Sequence, residues 1–212
     1  MNFRYWFLTN ELEQRDKYLE IVHQSLQGHS QRFEESVKKM ASELSQKDRD
    51  ELYEAYLDEY IELNEDFPRQ LYSSFIVGWY SFVEQELIGL CESLKLTITL
   101  TIRDRTDLGK GIRRARRFLI EAANYEIDNQ HWHELVTIGK IRNKIVHEGQ
   151  VLKYSADDNG NNTTEIKING ETFFVYAESD LCNYLEKHSL FKIRGLILIN
   201  PSFEYCKHLI KF

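Results

Sequence analysis

Three side chains in the middle of the chain combine the proton and charge chemistry needed to act on a phosphate ester. They are Arg142, Asn143 and His147, within the stretch from His131 to Gly149. A histidine that titrates near neutral pH can move protons, and the planar guanidinium of arginine suits phosphate oxygens. RNA carries its own nucleophile, the 2′-hydroxyl, so its cleavage needs only a proton carrier and a cation for the phosphorane. These residues could cleave RNA without metal or cofactor, leaving a 2′,3′-cyclic phosphate and a 5′-hydroxyl, while Asn143 orients His147 or donates to the phosphate.

The stretch that carries these residues has the pattern of a bounded α-helix. Its apolar residues recur at spacings of three and four, which places them on one helical face. Asn143 and His147 share a face, but Arg142 lies roughly 140° from His147 around the axis at about 100° per residue. We therefore expect the joint chemistry of Arg142 and His147 to require a second copy of the chain. The candidate capping residues are Asp128, Asn129 and Gly149.

A second stretch, Arg69 to Leu94, is apolar almost all round and predicts a helix buried between neighbours. Glu84 lies within it, on a largely apolar face. A carboxylate in such surroundings must find a partner or stay protonated, so Glu84 is a candidate catalytic residue that could fix Arg142 or the imidazole of His147. The alternative is that Glu84 lies at a groove edge and pairs with a cation to hold two helices together.

A basic segment, KGIRRARR from Lys110 to Arg117, begins a third predicted helix. Lysine and arginine contacts to phosphate set affinity and register without reading base sequence. An ordinary solvated face of an acidic protein is the alternative for this segment. The candidate RNA-binding residues are Lys110, Arg113, Arg114, Arg116, Arg117 and Lys144.

Composition bounds the class of protein. With 42% hydrophobic residues, 13% aromatics and two prolines in 212 residues, the chain is expected to form a helix-rich globule with a real core. The net charge of −7 argues against a protein that coats nucleic acid through bulk electrostatics. No apolar run approaches the ~18 residues of a membrane span, so neither a signal peptide nor a membrane segment is expected.

Cysteine and histidine spacing argues against a metal centre. Cys91, Cys182 and Cys206 are odd in number, widely spaced and lack a C-x-x-C pair, which favours a reducing, cytoplasmic location. His131 and His133 form an H-x-H pair, but two ligands alone make a poor metal site. No metal and no cofactor are therefore expected.

Two amphipathic helical segments are predicted before the apolar helix. The first runs from Leu12 to Leu44, as one helix or as a pair broken at Gly28. The second covers about Lys47 to Leu63, with Tyr60 among its inward-facing residues. The segment Asn64 to Pro68 is expected to stop it, because Pro68 is suited to a helix start.

The remaining segments predict a connector, a hairpin and two helices. Leu96 to Ile102 alternates between apolar and polar residues and is interpreted as an extended connector. Glu165 to Ala177 predicts two strands joined by an Asn169-Gly170 turn. Ser179 is expected to cap a helix that reaches His188, and a last helix is expected over Ser202 to Phe212.

Three of these pieces, YSSFIVGWYSFVEQEL, GKGIRRARRFL and IRNKIVHEG, resemble in this order the HEPN family, the higher eukaryotes and prokaryotes nucleotide-binding domain. The family motif is Arg, a polar residue, three to five further residues and His. Arg142, Asn143 and His147 fill it at its shortest spacing. Such an Arg and His spacing occurs about once by chance in a chain of this composition, so the resemblance depends on the two preceding helices. It covers roughly Phe67 to Val151 and the closing helices.

The resemblance implies an all-α fold, a HEPN-like helical bundle with long N-terminal helices and a small β-hairpin insertion. The whole chain, 1–212, would form a single domain. Its parts would be an N-terminal helical extension over 1–63, a core with the Arg and His motif over 67–151, a loop and β-hairpin over 152–178, and C-terminal helices over 179–212.

The resemblance also implies a homodimer in which two Arg-His sets face each other. Many members of the family are metal-independent endoribonucleases of antiviral defence or toxin-antitoxin systems, so RNA is the implied substrate and an antitoxin or regulatory protein an implied partner. Two alternatives stay open. One is a catalytically silent HEPN module that binds nucleotide, RNA or a partner protein. The other is a helical interaction protein in which His147 only interacts, as a cation, with its helix C-terminus.

Overall fold

The computed structural model describes residues 3–94, 111–155, 163–168, 171–194 and 196–212. These residues are mostly helical, with two small antiparallel sheets, so the expected helical class is confirmed at this level. The helices are α1 (Phe3–Ala41), α2 (Gln46–Ala55), α3 (Leu57–Ile61), α4 (Phe67–Ser93), α5 (Gly111–Glu121), α6 (Asn129–Glu148), α7 (Ser179–Lys187) and α8 (Phe203–Lys211).

The chain divides into two compact units. Unit 1 comprises Met1–Phe75 and Asn200–Phe212, and unit 2 comprises Ile76–Ile199. The division falls inside α4, which therefore contributes residues to both units. Lys110 and the predicted connector Leu96 to Ile102 lie outside the described residues.

Unit 1 is held together by α1, which runs without a break through Gly28. Leu19 of α1 is fully buried. Lys207 of α8 forms ion pairs with Asp16 and, at 2.8 Å, with Glu20, both on α1. The closing helix α8, which the sequence predicted, is thus anchored to the first helix of the chain.

The expected helix stop at Asn64 to Pro68 is wrong. The chain turns at Tyr56 and then stays helical through one wide π-helical turn, Glu62–Asp66, directly into α4. Pro68 lacks a backbone N–H, and its ring would clash with the carbonyl four residues earlier in a regular α-helix. A wider turn lets the helix continue past such a residue. Tyr60, expected to face inward, is 44% exposed.

In unit 2, α4 and α5 share a buried core. Cys91 of α4 packs with Ala115, Phe118 and Leu119 of α5, and all four are buried. On α6, apolar residues recur at helical spacing, and Ile138 among them is fully buried. Cys91, Cys182 and Cys206 are free and buried.

The predicted ends of α6 are confirmed. Asp128 is the N-cap, and its carboxylate accepts a hydrogen bond from the His131 backbone N–H at 2.8 Å. Gly149 adopts the left-handed conformation with φ of 61° at the C-terminal end. The motif helix is therefore defined at both ends by the local sequence.

Two three-stranded antiparallel sheets lie in unit 2, where a single hairpin was expected. One has the order β1-β6-β5, and the other has the order β2-β4-β3. The predicted hairpin is the β3 and β4 pair, whereas the other strands are only two or three residues long and show no readable alternation. The strands are β1 (Val151–Leu152), β2 (Tyr154–Ser155), β3 (Thr164–Ile168), β4 (Glu171–Val175), β5 (Phe191–Ile193) and β6 (Ile197–Ile199).

The helix after the hairpin begins one residue earlier than expected, because Glu178 and not Ser179 is the N-cap of α7. Within the described ranges, no helix combines the length and the apolar character needed to cross a bilayer.

Candidate functional site

Helix α6 directs its motif residues to different sides. Arg142 is half-buried, whereas Asn143 and His147 are exposed. One guanidinium nitrogen of Arg142, Nη1, donates a hydrogen bond to Asn143 Oδ1 at 3.0 Å. Asn143 therefore contacts the arginine, a role that the sequence did not predict for it.

Arg142 also acts electrostatically on the phenol of Tyr80, a residue of α4. Burial and the nearby Glu84 carboxylate raise the pKa of Tyr80, while Arg142 and Arg113 act in the opposite direction. Such effects require short range in a partly buried setting. Glu84, Arg142 and Arg113, predicted separately from α4, α6 and α5, thus all act electrostatically on one phenol. We call Tyr80, Glu84, Arg113 and Arg142 the tyrosine cluster.

A glycine on α6 allows this cluster to form. A Cβ atom added at Gly139 would lie 2.6 Å from Tyr80 Oη and 2.9 Å from Tyr80 Cζ. The ring of Tyr80 therefore packs directly on the backbone of α6. A glycine inside an otherwise regular helical pattern is the sequence signal that could have revealed this contact.

Glu84 lies at the beginning of α5. A Cβ atom added at Gly111 would lie 2.6 Å from Glu84 Oε1, and Gly111 has φ of 56°. Because the first N–H groups of a helix carry partial positive charge, a carboxylate is stabilised there. Glu84 is half-buried, near the cations of the tyrosine cluster. This environment is intermediate between the apolar face and the groove edge that the sequence left open for it.

The Nε atom of Arg142 is a buried hydrogen-bond donor. Among the residues that the structure describes, none accepts a hydrogen bond from its Nε, which is out of contact with solvent. A buried donor without an acceptor costs about 1–3 kcal/mol. The side chain is thus held by its surroundings without being fully paired.

The basic residues predicted to bind RNA do not form one strip. Arg113, Arg116 and Arg117 line a cavity of about 560 Å³ between α5 and α6. Arg114 is not among its lining residues, and Lys144 pairs with Glu148 at 2.8 Å. We call this space the arginine cavity, and its lining is completed by Asn129, Trp132, His133 and Val136.

These four α6 residues were missed as binding candidates. Asn129 was considered only as a cap and His133 only as a metal ligand, but both belong to a stripe at spacings of three and four along α6. Continued at the same spacing, the stripe reaches Asn143 and His147. The cavity could have been predicted from one sequence signal. This signal is a basic helix followed by a helix with an aromatic residue on its polar side.

Comparisons with protein-family models, with curated proteins and with solved structures found no significant match to this chain.

Proposed function

We propose that this chain is a metal-independent endoribonuclease of the HEPN type, acting in the cytoplasm at a composite site formed by two copies of the chain. The single observation that carries the proposal is the division of the motif on α6. Arg142 is held half-buried in the tyrosine cluster, while His147 is exposed elsewhere on the helix. A guanidinium fixed in one position and an imidazole open to an incoming molecule form two halves of a phosphoryl-transfer site.

Each residue has a defined task in this mechanism. Arg142 neutralises the charge that develops on the phosphorane, and Glu84 together with Tyr80 keeps its side chain in place. His147 removes the proton from the 2′-hydroxyl or returns one to the 5′-leaving oxygen. Asn143 orients the guanidinium through the hydrogen bond of 3.0 Å. The bond to the 5′-oxygen breaks as the 2′-oxygen bonds to phosphorus, which yields the cyclic phosphate.

The decisive experiment is cleavage of a structured RNA in the presence of EDTA. Loss of a general acid or base typically costs 10²- to 10⁴-fold, so we expect His147→Ala to slow cleavage by at least about 100-fold. His131→Ala is the matched control, since His131 is exposed on the same helix but is outside the motif. If wild type and His147→Ala cut at the same rate, the proposal is wrong.

A mixing experiment tests whether the site is composite. Arg142→Ala and His147→Ala chains should each be inactive alone, because each lacks one half of the site. In a mixed dimer, one subunit supplies Arg142 and the other supplies His147. Mixing under exchange conditions should therefore restore a measurable part of the wild-type rate. Failure to restore any activity, with mixed dimers demonstrated, would exclude a shared site.

The arginine cavity favours a second candidate function, a catalytically silent HEPN module that binds nucleotide or RNA. Three arginines and a tryptophan line it, and such groups bind phosphates and nucleobases without cleaving them. This candidate predicts RNA binding that persists in Arg142→Ala and His147→Ala chains, with no cleavage by wild type. The biological setting that we propose for either function is antiviral defence or a toxin-antitoxin pair, with an antitoxin or regulatory protein as partner; only the family resemblance supports that setting.

A further inference from the structure

A groove in unit 1 has a largely apolar lining. It is a cavity of about 340 Å³ between α1 and the two short helices α2 and α3. Val37 of α1 is buried in it, and the rings of Phe33 and Tyr56 pack edge to face with centroids 5.9 Å apart. We call this cavity the unit 1 groove. The apolar and aromatic residues of its lining are Phe33, Val37, Tyr53, Tyr56, Leu57 and Tyr60.

The helices on the outer side of the groove have no interior of their own. The structure describes every residue of α2 and α3, and none of them is buried. Tyr53, Leu57 and Tyr60 are 48%, 50% and 44% exposed. Single exposed apolar residues are common on protein surfaces, whereas apolar residues grouped in one groove mark an interaction site. The unit 1 groove therefore has the character of a surface that binds a partner.

The segment on this side of the groove also carries the excess negative charge of the chain. Residues 46–66 include nine acidic and two basic residues, a net charge of −7, and the rest of the chain has 25 of each sign. Glu54 and Asp58 are exposed there. Lys38, a cation in the groove lining, is paired with Glu34 at 3.3 Å. Such a surface attracts cations and repels nucleic acids and anionic lipids.

The same charge argues against a second copy of the chain as the occupant. A symmetric contact through the groove would bring two like-charged segments together, which is unfavourable. The basic helix α5 of another copy is no substitute, because its apolar residues are already buried in its own unit. An apolar groove in an acidic surface instead fits a helix with an apolar stripe and flanking lysines or arginines. Cations of such a helix can also bind over tyrosine rings.

We propose that the unit 1 groove binds a basic amphipathic helix of a partner protein. Apolar side chains of that helix pack against Val37 and Leu57, and its cations pair with the carboxylates of residues 46–66. Tyr53 and Tyr60 are seven residues apart, about 10 Å at the rise of a helix, which matches about two turns of the partner. The proposal uses no residue of the tyrosine cluster or of the motif on α6, so it does not depend on the proposed ribonuclease function.

Binding of synthetic peptides to the full chain, measured by calorimetry, tests the proposal. The probes are peptides of about 15 residues with leucine, phenylalanine or tryptophan at spacings of three and four and with lysine or arginine elsewhere. Each has one counterpart with glutamate in place of the cations and another with the same composition reordered to remove the apolar stripe. We expect at least one basic amphipathic peptide to bind, with both of its counterparts at least about tenfold weaker. Added salt should weaken this binding.

Two substitutions with matched controls locate the binding. Leu57→Lys should weaken it at least about tenfold, because a cation would then lie among the apolar residues of the groove. Ile21→Lys makes the same change at a 67% exposed position of α1 and should have no effect. Glu54→Lys leaves the apolar lining intact and should weaken binding several-fold, whereas Glu13→Lys, also at an exposed position, should not. An unchanged urea midpoint identifies the variants that remain folded.

The proposal is overturned if no basic peptide binds at about 1 mM, or if an acidic or reordered counterpart binds as tightly. It is also overturned if Leu57→Lys and Ile21→Lys bind alike. Should Leu57→Lys fail to fold, the comparison of Glu54→Lys with Glu13→Lys decides in the same way. Loss of a dimer in Leu57→Lys by sedimentation velocity, without peptide binding to wild type, would assign the groove to a second copy and overturn the proposal.

Discussion

The pKa of Tyr80 depends on the charges of the other residues in the tyrosine cluster and can be used to detect them. Its hydroxyl was absent from the sequence prediction, yet Glu84, Arg113 and Arg142 act on it electrostatically from three helices. Burial and Glu84 raise the pKa of this phenol, while the two arginines lower it. Changes in the pKa of Tyr80 on substitution of these residues therefore test whether the predicted site residues lie together.

Removing one charge at a time should move that pKa in opposite directions. Glu84→Gln removes a negative neighbour and should lower the pKa of Tyr80, whereas Arg142→Gln removes a positive neighbour and should raise it further. The measurement is the ¹³Cζ chemical shift of labelled tyrosines against pH, with the signal assigned by Tyr80→Phe. Glu121→Gln, which changes the same charge on α5, should leave it unchanged. Equal responses to all three substitutions would show that the cluster does not form.

Tyr72 in unit 1 makes stability depend on alkaline pH. Burial raises its pKa from 10.0 to about 12, with smaller contributions from Cys206 and Glu204. Its Oη also lies 2.7 Å from His23 Nδ1. A phenol whose pKa is higher in the folded chain than in the unfolded chain contributes to the free energy of unfolding. This contribution is fully present below the unfolded pKa. That contribution is then lost as the pH rises toward the folded value.

The free energy of unfolding attributable to Tyr72 should therefore be constant below about pH 10 and fall between about pH 10 and 12. Urea titrations of wild type and Tyr72→Phe across this range give the difference. The phenylalanine variant should show a shallower decline, whatever its stability at neutral pH. Parallel curves would mean that Tyr72 ionises normally in the folded chain.

Among the elements, the contact between α4 and α6 depends on Gly139. Gly139→Ala should destabilise the protein by about 1–3 kcal/mol, because the new methyl would overlap the Tyr80 ring. Gly28→Ala in α1 is the matched control, since its methyl would meet only the flexible end of Arg32 at 3.4 Å. There the usual helix preference should stabilise by about 1 kcal/mol.

The two glycine variants should thus change the urea midpoint in opposite directions. Tyr80→Leu, which shortens the side chain and removes the hydroxyl, should recover part of the loss in Gly139→Ala. A stabilised Gly139→Ala variant would instead show that Tyr80 does not press on the α6 backbone.

The elements themselves show which features a sequence can predict. The ends of α6 and the β3 and β4 hairpin were predictable, because caps and alternation are local signals. The π-helical turn before Pro68 was not, since the same proline suits a helix start equally well. Strands of two or three residues are fixed by pairing with distant segments, so no local pattern marks them.

At the candidate site, the sequence singled out residue types but not their grouping. Arg142, His147 and Glu84 follow from chemistry and spacing, and helical periodicity places Arg142 and His147 apart. The tyrosine cluster depends on a close approach at Gly139, and the arginine cavity depends on how α5 and α6 pack. Packing of this kind joins positions far apart in sequence, which periodicity within one helix does not encode.

For the whole molecule, a composite site makes activity depend on association. If each site needs two chains, the rate per chain should fall once the protein is diluted below its dimer dissociation constant. We expect cleavage per chain to decline on serial dilution, in step with the monomer fraction from sedimentation velocity. A rate per chain that stays constant while monomer predominates would locate the complete site within one copy.

The division of unit 1 between two distant parts of the chain has a consequence for synthesis on the ribosome. Unit 2 is a single continuous segment, Ile76–Ile199, and it precedes α8. As the nascent chain emerges, unit 2 is complete while Asp16 and Glu20 of α1 still lack their cation, Lys207. During translation, the part of α1 that packs against α8 therefore stays uncovered until the last residues of the chain have been made.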